Sequence, residues 1–298
     1  MPELPDITVY IEALQHRILQ QPIERVLLHN PFLLRTAEPP LTACEGRKVI
    51  DVRRLGKRIA IGTEGDIWLV LHLMIAGRLH WFDASARTRP KASLLSIAFP
   101  NGTLTLTEAG TKRRAALHVT TTSQLHEFDR GGLEVLDADD ETFRARMTER
   151  NHTLKRALTD PTILSGIGNA YSDEILHRAQ LSPLLQTKQV TTDQWTTLLA
   201  SCQSVLKEWT ERLREQSDDA FPEKVTAFHP DMAVHGKYGM PCPRCGTAIQ
   251  RIRYADNETN YCPRCQTGGK VLADRSLSRL LKDDWPRTIE ELEARVKG

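Results

Sequence analysis

The chain has 298 residues, of which 40% are hydrophobic and 26% are charged, and its formal net charge is only +2. This composition is typical of an ordinary globular protein with two or three domains, and it excludes a polycationic chain. The sequence contains no apolar run long enough to span a membrane, and its first residues lack the pattern of a signal peptide. We therefore expect a cytoplasmic protein with no membrane partner.

The basic residues are clustered although the net charge is small. Arg53, Arg54, Lys57 and Arg58 lie within six positions, Lys112 to Arg114 are consecutive, and residues 235–253 contain four Lys or Arg and no acid. Local basic patches on a near-neutral protein fit an acidic partner such as nucleic acid. For any single cluster, a solvated surface is the simpler explanation.

In chain order, the first predicted element is a helix over Asp6–Gln20, with apolar residues at helical spacing. Short β-rich runs follow, separated by turn residues, and Asn101-Gly102 between two alternating runs is a strong hairpin signal. We predict eight strands that form a β-sandwich with the N-terminal helix packed on it. The runs are Ile23–His29, Arg47–Leu55, Lys57–Gly62, Ile67–Leu73, Arg78–Phe82, Ser93–Phe99, Thr103–Thr107 and Arg113–Val119.

After about residue 130 the pattern changes from strands to helices. Helices are predicted at Leu154–Leu158 and Ala170–Ala179, with a glycine-containing turn at Ile163–Asn169 between them. The apolar stripe from Trp195 to Leu213 predicts a long helix with one face in the core. The tail, residues 267–298, is expected to form helical segments, and its pattern indicates no function.

Four of the six cysteines form two CPRC motifs that are separated by sixteen residues. Each motif places two thiolates on a tight turn, and two facing turns give the four sulfur ligands of a closed, structural zinc site. A disulfide pair is the alternative, and a reducing compartment disfavours it. We therefore predict one structural Zn²⁺ in a ribbon, bound by Cys242, Cys245, Cys262 and Cys265. Cys44 and Cys202 are predicted to be buried core residues.

Five motifs occur in a fixed order: PELPD at the N-terminus, LGK around Lys57, HL at His72, SGIGNAYSDEIL around Asn169, and the paired CPRC motifs. Together they resemble the formamidopyrimidine-DNA glycosylase and endonuclease VIII family from Pro2 to about Gln266. The resemblance implies an α+β multidomain fold. It consists of a catalytic β-sandwich domain (1–130), a helical domain with a helix–two-turn–helix (131–234), a zinc ribbon (235–266) and the tail (267–298).

The resemblance also implies a catalytic chemistry at the N-terminus. Pro2, once Met1 is removed, matches the family's nucleophile, and Glu3 matches its general acid. Lys57 matches a lysine that contacts the phosphate beside the flipped nucleotide. A terminal amine has a pKa near ~8, so a useful fraction is unprotonated at neutral pH. Without the family motifs, Pro2 would be an ordinary residue in a mobile tail.

Further residues match the family's contacts to damaged DNA. Asn169 follows two glycines and precedes a helix, an arrangement that suits phosphate, and Lys155 aligns with a lysine near the lesion pocket. Ile75 takes the place of an inserted methionine, and Arg113 or Arg114 that of an inserted arginine. The third inserted side chain of the family, a phenylalanine, has no counterpart, because alanines follow the arginines.

Two other positions and one longer segment depart from the family pattern. Asp6 replaces a glutamate, and Asn257 replaces the arginine of the ribbon, so that Arg251 or Arg253 is expected to provide the phosphate contact. The stretch Gln216–His235 is short and lacks the loop that caps oxidised purines. We therefore expect oxidised pyrimidines or ring-opened purines to be credible substrates.

The leading hypothesis is a monomeric enzyme with DNA glycosylase and lyase activity on damaged DNA. The alternative is a DNA-binding protein whose lesion pocket has decayed. This alternative is favoured by the incomplete set of inserted side chains (the wedge that fills the space of the flipped base) and by Asp6 and Asn257. The retained pair of Pro2 and Glu3 argues against that alternative. An RNA-directed zinc ribbon is a weaker third possibility, since the sequence shows no aromatic stacking platform.

Overall fold

A computed structural model describes residues 1–84, 92–109, 112–223, 228–254, 257–273 and 286–297. The chain divides into two compact units: Met1–Arg130 with Glu208–Ala227, and Gly131–Lys207 with Phe228–Gly298. Within the described ranges, no helix is both long enough and apolar enough to cross a membrane.

The first unit begins with helix α1, Leu4–Ile18. Glu3 is its N-cap residue, Pro5 lies in its first turn, and Asp6 accepts a hydrogen bond from the backbone N–H of Glu3 at 2.7 Å. This is the return interaction of a capping box. The predicted helix is confirmed, and its apolar stripe is buried: Ile7, Tyr10, Ile11, Leu14 and Ile18 are at most 8% exposed.

Two four-stranded antiparallel sheets follow, in the orders β1-β6-β7-β5 and β2-β3-β4-β8. All eight predicted strands are present in the described residues, and they form a β-sandwich whose core also takes in α1. The strands are β1 Arg25–Leu28, β2 Val49–Leu55, β3 Arg58–Thr63, β4 Ile67–His72, β5 Gly77–Asp83, β6 Ser93–Phe99, β7 Gly102–Glu108 and β8 Ala116–Thr120.

The predicted hairpin between β6 and β7 is present, but its turn lies one residue earlier than the Asn-Gly signal suggests. Pro100 and Asn101 form the turn, and Gly102 is already paired with Phe99. A Cβ atom on Gly102 would approach the Trp81 ring to 2.5 Å. The glycine is therefore required by close packing in the sheet.

The second unit contains the helices predicted after residue 130. They are α2 Asp140–Thr148, α3 Leu154–Thr159, α4 Asn169–Ala179 and α5 Thr192–Ser217, and the residues of α5 from Glu208 onward belong to the first unit. The predicted glycine-containing turn joins α3 to α4, with Gly166 at φ +82°. Asn169 is the first residue of α4, so the turn ends one residue before its predicted end.

The ribbon consists of β9, Gln250–Tyr254, paired antiparallel with β10, Asn257–Tyr261, and the short helix α6, Pro263–Thr267. The predicted turn between the two strands lies mostly outside the described residues. In the tail, helix α7 covers Ile289–Lys297, and Ile289 is 2% exposed. The apolar tail residues Leu277, Leu280, Leu281 and Trp285 also lie outside the described residues.

Candidate functional site

The N-terminal residues of the first unit are buried at the start of α1. Pro2 is buried and Glu3 is 2% exposed, so these residues do not form a mobile tail. Asp6 is 1% exposed, and one of its carboxylate oxygens binds the N–H of Glu3 while the other, Oδ1, has no partner among the described residues. The capping box therefore orders the backbone on which Pro2 and Glu3 lie.

The electrostatic environment of this site favours an unprotonated amine. Burial lowers the pKa of the Met1 amine below its usual value, and the charges of Arg78 and Lys57 lower it further, against the opposing effect of Glu3 and Asp6. Burial also raises the pKa of Asp6 to about 7. An amine in this place is therefore less basic than an ordinary chain terminus. Arg78 was not identified from the sequence, because it belongs to no motif.

Lys57 lies in a two-residue turn between β2 and β3, one residue before the strand that was predicted to begin with it. Leu55 pairs with Arg58, and Gly56 has φ +60°, a conformation that glycine adopts without strain. The Lys57 charge acts on the amine of Met1. The hairpin thus places the lysine near the N-terminal site.

Ile75 lies in the turn between β4 and β5 and is 60% exposed. Met74 adopts a left-handed conformation with φ +54°, and the N–H of Gly77 closes the turn on the carbonyl of Leu73 at 2.9 Å. A Cβ on Gly77 would approach that carbonyl oxygen to 2.2 Å, so only glycine fits there. The turn therefore presents the large apolar side chain of Ile75 to solvent.

Arg113 and Arg114 are exposed in the segment before β8. The backbone of this segment is fixed by Glu108, which is 2% exposed and accepts hydrogen bonds from the N–H groups of Arg114 and Ala115 at 2.9–3.1 Å. Ala115 is 3% exposed and faces inward. Glu108 also pairs with Gly77 in the sheet, so the arginine segment lies beside the Ile75 turn. Sequence reasoning did not identify Glu108.

In the second unit, Lys155 and Asn169 are in contact. The Lys155 ammonium donates to the backbone carbonyl of Asn169 at 2.7 Å and pairs with Asp173 at 2.5 Å. The side-chain amide of Asn169 donates to the carbonyl of Glu258 in the ribbon at 2.8 Å. These contacts use two of the three N–H donors of the ammonium, so a direct contact between Lys155 and DNA would use the third.

Two acids of α4 connect this helix to the segment before the ribbon. Glu174, 6% exposed, accepts hydrogen bonds from the N–H groups of Ala233, Val234 and His235 at 2.8–2.9 Å. Asp173 accepts from the His235 ring at 2.8 Å. Their roles were not predicted, since their partners lie about sixty residues away in the sequence.

The four predicted zinc ligands come together. Their sulfur atoms all lie within 4.8 Å of one another, and Cys245–Cys262 and Cys242–Cys265 are 3.4 and 4.0 Å apart. Sulfurs around a tetrahedral Zn²⁺ are roughly 3.8 Å apart for bonds of ~2.3 Å, so the cluster fits this ion. Disulfide bonds are excluded by these distances. Burial raises the pKa of the Cys262 thiol, so that the thiolate is unfavourable in the protein alone. A bound dication would stabilise the thiolate and offset this cost.

The ribbon arginines have partners within the protein. Arg251 lies over the Tyr238 ring at 4.0 Å and pairs with Glu258 at 3.3 Å. Arg253, whose side chain is 62% exposed, pairs with the same carboxylate at 3.5 Å. Asn257 is exposed at the start of β10. Each guanidinium pairs with Glu258 through one of its nitrogens, so other N–H donors remain for the predicted phosphate contact.

Three family models match the chain in order. They are the formamidopyrimidine-DNA glycosylase N-terminal domain over residues 1–117, the H2TH domain of the same family over residues 133–218, and the zinc finger found in FPG and IleRS over residues 239–268. This succession of a sandwich, a helix–two-turn–helix and a zinc finger defines the class of protein to which the chain belongs.

Individual relatives agree with this class. The formamidopyrimidine-DNA glycosylase of Heliobacterium modesticaldum is 32% identical over 290 residues, which cover 89% of this chain and 100% of the relative. A solved complex between Lactococcus lactis Fpg and abasic-site DNA is 26% identical, with a TM-score of 0.79, and covers 89% of this chain and 99% of that chain. An uncharacterized formamidopyrimidine-DNA glycosylase-like protein of Mycobacterium tuberculosis is 38% identical over 151 residues, 51% of this chain and 94% of the relative. The chain belongs to the formamidopyrimidine-DNA glycosylase family.

Proposed function

We propose that the protein is a bifunctional DNA glycosylase and abasic-site lyase of base-excision repair, with the amine of Pro2 as its nucleophile. The observation that carries this proposal is the burial of Pro2 and Glu3 at the start of α1, where burial lowers the pKa of the adjacent Met1 amine. Family membership and the solved DNA complex of a relative support the choice of DNA as the substrate.

The proposed reaction uses the secondary amine in two ways. After removal of Met1, the Pro2 nitrogen attacks the anomeric carbon of the deoxyribose, and the bond to the damaged base breaks with the base as leaving group. Glu3 protonates the ring oxygen as the sugar opens, which leaves a cationic iminium. The iminium withdraws electrons and acidifies the neighbouring sugar proton, so that elimination expels the 3′ phosphate.

We assign the remaining predicted residues to binding the DNA around the flipped nucleotide. Lys57 and Asn169 are proposed to contact phosphates. Ile75, with Arg113 or Arg114, is proposed to fill the space that the flipped base leaves, which offsets an unstacking cost of a few kcal/mol. Since Ala115 is buried where the family's phenylalanine is expected, the wedge is smaller, and opposite-base preference is expected to be broad.

The zinc ribbon is proposed to bind DNA next to the helix–two-turn–helix, with one structural Zn²⁺ on the four cysteines. The Asn169 contact to Glu258 couples the two elements within the second unit. Removal of the metal with a chelator is expected to weaken DNA binding steeply and to leave the sandwich folded. Full binding after proven metal loss would refute this role of the ribbon.

Trapping with borohydride tests the enzymatic proposal. Reduction of the iminium on abasic-site DNA is expected to give a covalent adduct, and peptide mapping is expected to locate it on Pro2. Pro2→Gly and a form that retains Met1 are expected to lose or greatly slow adduct formation, whereas the exposed-site variant Arg25→Gln serves as a matched control. An adduct of full yield on a lysine would overturn the assignment.

A catalytically decayed DNA-binding protein is the second candidate. It is favoured by the missing phenylalanine among the inserted side chains and by the departures from the family pattern at Asp6 and Asn257. The two candidates differ in one measurement. The decayed protein binds abasic-site DNA with an affinity similar to the enzyme's but yields no borohydride adduct.

A further inference from the structure

The tail after residue 268 lies beyond the part of the chain that the three family models match. It is nevertheless connected to the zinc ribbon within the second unit. Two tail segments, residues 269–272 and 286–289, pair antiparallel with each other and are called the tail clasp below. A backbone N–H group of each segment donates to a carbonyl of the other at 3.0 Å: Val271 to Arg287 and Ile289 to Gly269.

The first segment of the clasp is bonded to α6, the helix that begins inside the second CPRC motif. The N–H of Gly269 donates to the carbonyl of Pro263 at 3.0 Å, and the hydroxyl of Thr267 donates to the carbonyl of Lys270 at 2.6 Å. A helix of five residues is too short to be stable on its own, because helix nucleation is costly. The position of α6 therefore depends on contacts of this kind.

Tyr261 makes a second connection between the clasp and the cysteines. It is the last residue of β10, directly precedes Cys262, and is 0% exposed. Its hydroxyl oxygen accepts the N–H of Leu272 at 2.7 Å. One buried side chain thus joins the backbone before the cysteine to the backbone of the clasp.

The second segment of the clasp is held by burial and by a helix cap. Ile289 is 2% exposed, and Pro286 is buried. The N–H of Glu291 donates to the Thr288 hydroxyl at 3.3 Å, and the Glu291 carboxylate accepts the N–H of Arg287 at 2.7 Å. These contacts order the start of α7. Opening of the clasp would expose Ile289 to water, which is unfavourable.

We propose that the tail clasp is a positioning element of the metal site, which holds α6 in place and slows the release of Zn²⁺ from the four cysteines. The inference rests on the structural Zn²⁺ of the proposed function and does not depend on the lyase activity. A metal ion leaves a closed site when part of its ligand set moves, and such local opening costs more where buried contacts must break. Since the clasp is bonded to α6 and to Tyr261, it opposes that movement.

The rate at which the full-length protein releases Zn²⁺ to a saturating chelator tests this role, once metal analysis has established the zinc content. Ile289→Ala removes buried apolar contacts of the clasp, so release should accelerate by about tenfold or more. Ile289→Val keeps most of these contacts and should release the metal at an intermediate rate.

Tyr261→Phe removes the acceptor of the Leu272 N–H and changes little else. Release should accelerate by about fivefold, the effect of a single hydrogen bond. Tyr10→Phe is the matched control, because Tyr10 is a buried tyrosine of the first unit whose hydroxyl accepts the N–H of Leu79 at 3.4 Å. This control should release Zn²⁺ at the wild-type rate.

Hydrogen exchange gives a readout that does not involve loss of the metal. The N–H of Gln266 is bonded to the carbonyl of Cys262 at 3.0 Å, so its exchange reports the opening of α6. It should accelerate in Ile289→Ala and in Tyr261→Phe. The amide of Leu71 in β4 should exchange at the wild-type rate, which also shows that the variants are folded.

The outcomes separate the clasp from the enzyme. Wild-type rates of release and exchange in Ile289→Ala, in Tyr261→Phe and in a chain that ends at residue 285 would overturn the clasp, even where borohydride trapping on Pro2 is normal. Acceleration in these three proteins and not in Tyr10→Phe supports the clasp, whether or not trapping succeeds. A wild-type protein that neither contains nor takes up Zn²⁺ refutes the structural metal and this inference with it, and leaves the trapping result unaffected.

Discussion

The His177 ring nitrogen Nε2 lies 3.3 Å from the sulfur of Cys242, so that helix α4 contacts the four-cysteine cluster directly. His177 is 7% exposed, and burial together with Arg244 and Arg178 lowers its pKa to about 4. The neutral ring therefore donates to the sulfur when its hydrogen is on Nε2. A hydrogen bond to a ligand thiolate orients it and moderates its charge, as outer groups around metal sites generally do.

Removing this hydrogen bond is expected to loosen the metal. His177→Leu should release Zn²⁺ to a colorimetric chelator about 10–100-fold faster than the wild type, and His177→Gln, which retains a donor, should release it at an intermediate rate. His126→Leu, at an exposed histidine of the first unit, is the control. Equal release from His177→Leu and the control would show that the contact contributes nothing to metal retention.

Asp6 makes the stability of the first unit dependent on pH. Its pKa is raised by burial to about 7 from 3.8, so the folded state binds the proton more tightly than the unfolded state. Below pH 4 the protonated carboxyl group contributes fully to the stability of the folded state. This contribution is lost as the pH rises through 7, which lowers the free energy of unfolding by about 4 kcal/mol in total. Asp6→Asn keeps the shape and an acceptor for the N–H of Glu3 and removes the titration.

Urea unfolding at pH 4 and pH 8 measures this effect. His72 and His177, whose pKa values are lowered to about 4, change stability in the opposite direction between pH 4 and 6.5. The difference between the wild type and Asp6→Asn isolates the carboxyl group from these histidines. A difference that stays constant across the range would show that Asp6 does not titrate there.

Glu108 is expected to control the order of the arginine segment. In Glu108→Gln the hydrogen bonds to the N–H groups of Arg114 and Ala115 lose their charge assistance, and a hydrogen bond to a charged group contributes roughly 1 kcal/mol more than a neutral one. Hydrogen exchange of the Ala115 amide should accelerate about tenfold or more. Glu45→Gln is the matched control, since Glu45 accepts the N–H of Val26 at 2.8 Å. Unchanged exchange at Ala115 would mean that other contacts order the segment.

The sequence predicted the architecture well because strong local patterns determine it. Short β-rich runs bounded by turn residues predicted the eight strands, and the CPRC spacing predicted a sulfur cluster whose atoms lie within 4.8 Å. The Asn-Gly signal located the β6–β7 hairpin but not its turn, because packing of Gly102 against Trp81 determines where that turn lies.

The partners of the site residues were much less predictable. Lys155 was expected at a lesion, yet its ammonium binds Asp173, eighteen residues away. His177 meets Cys242 across 65 residues. Such contacts depend on how helices and strands pack, and no spacing within the sequence encodes them. The role of Asp6 was partly predictable, because its hydrogen bond with the N–H of Glu3 can be expected once the first residue of α1 is known.

Ile75 gives the clearest test of the proposed wedge, because its side chain is exposed and its loss should not affect folding. Ile75→Ala removes apolar surface that would be buried in a base stack, so affinity for an abasic-site duplex should fall about tenfold, or ~1.4 kcal/mol. Affinity for single-stranded abasic DNA should remain unchanged, since no stack has to be filled. Phe32→Ala, at a side chain 79% exposed elsewhere in the first unit, is the control. An equal loss on both kinds of DNA would show that Ile75 contacts the strand without entering the stack.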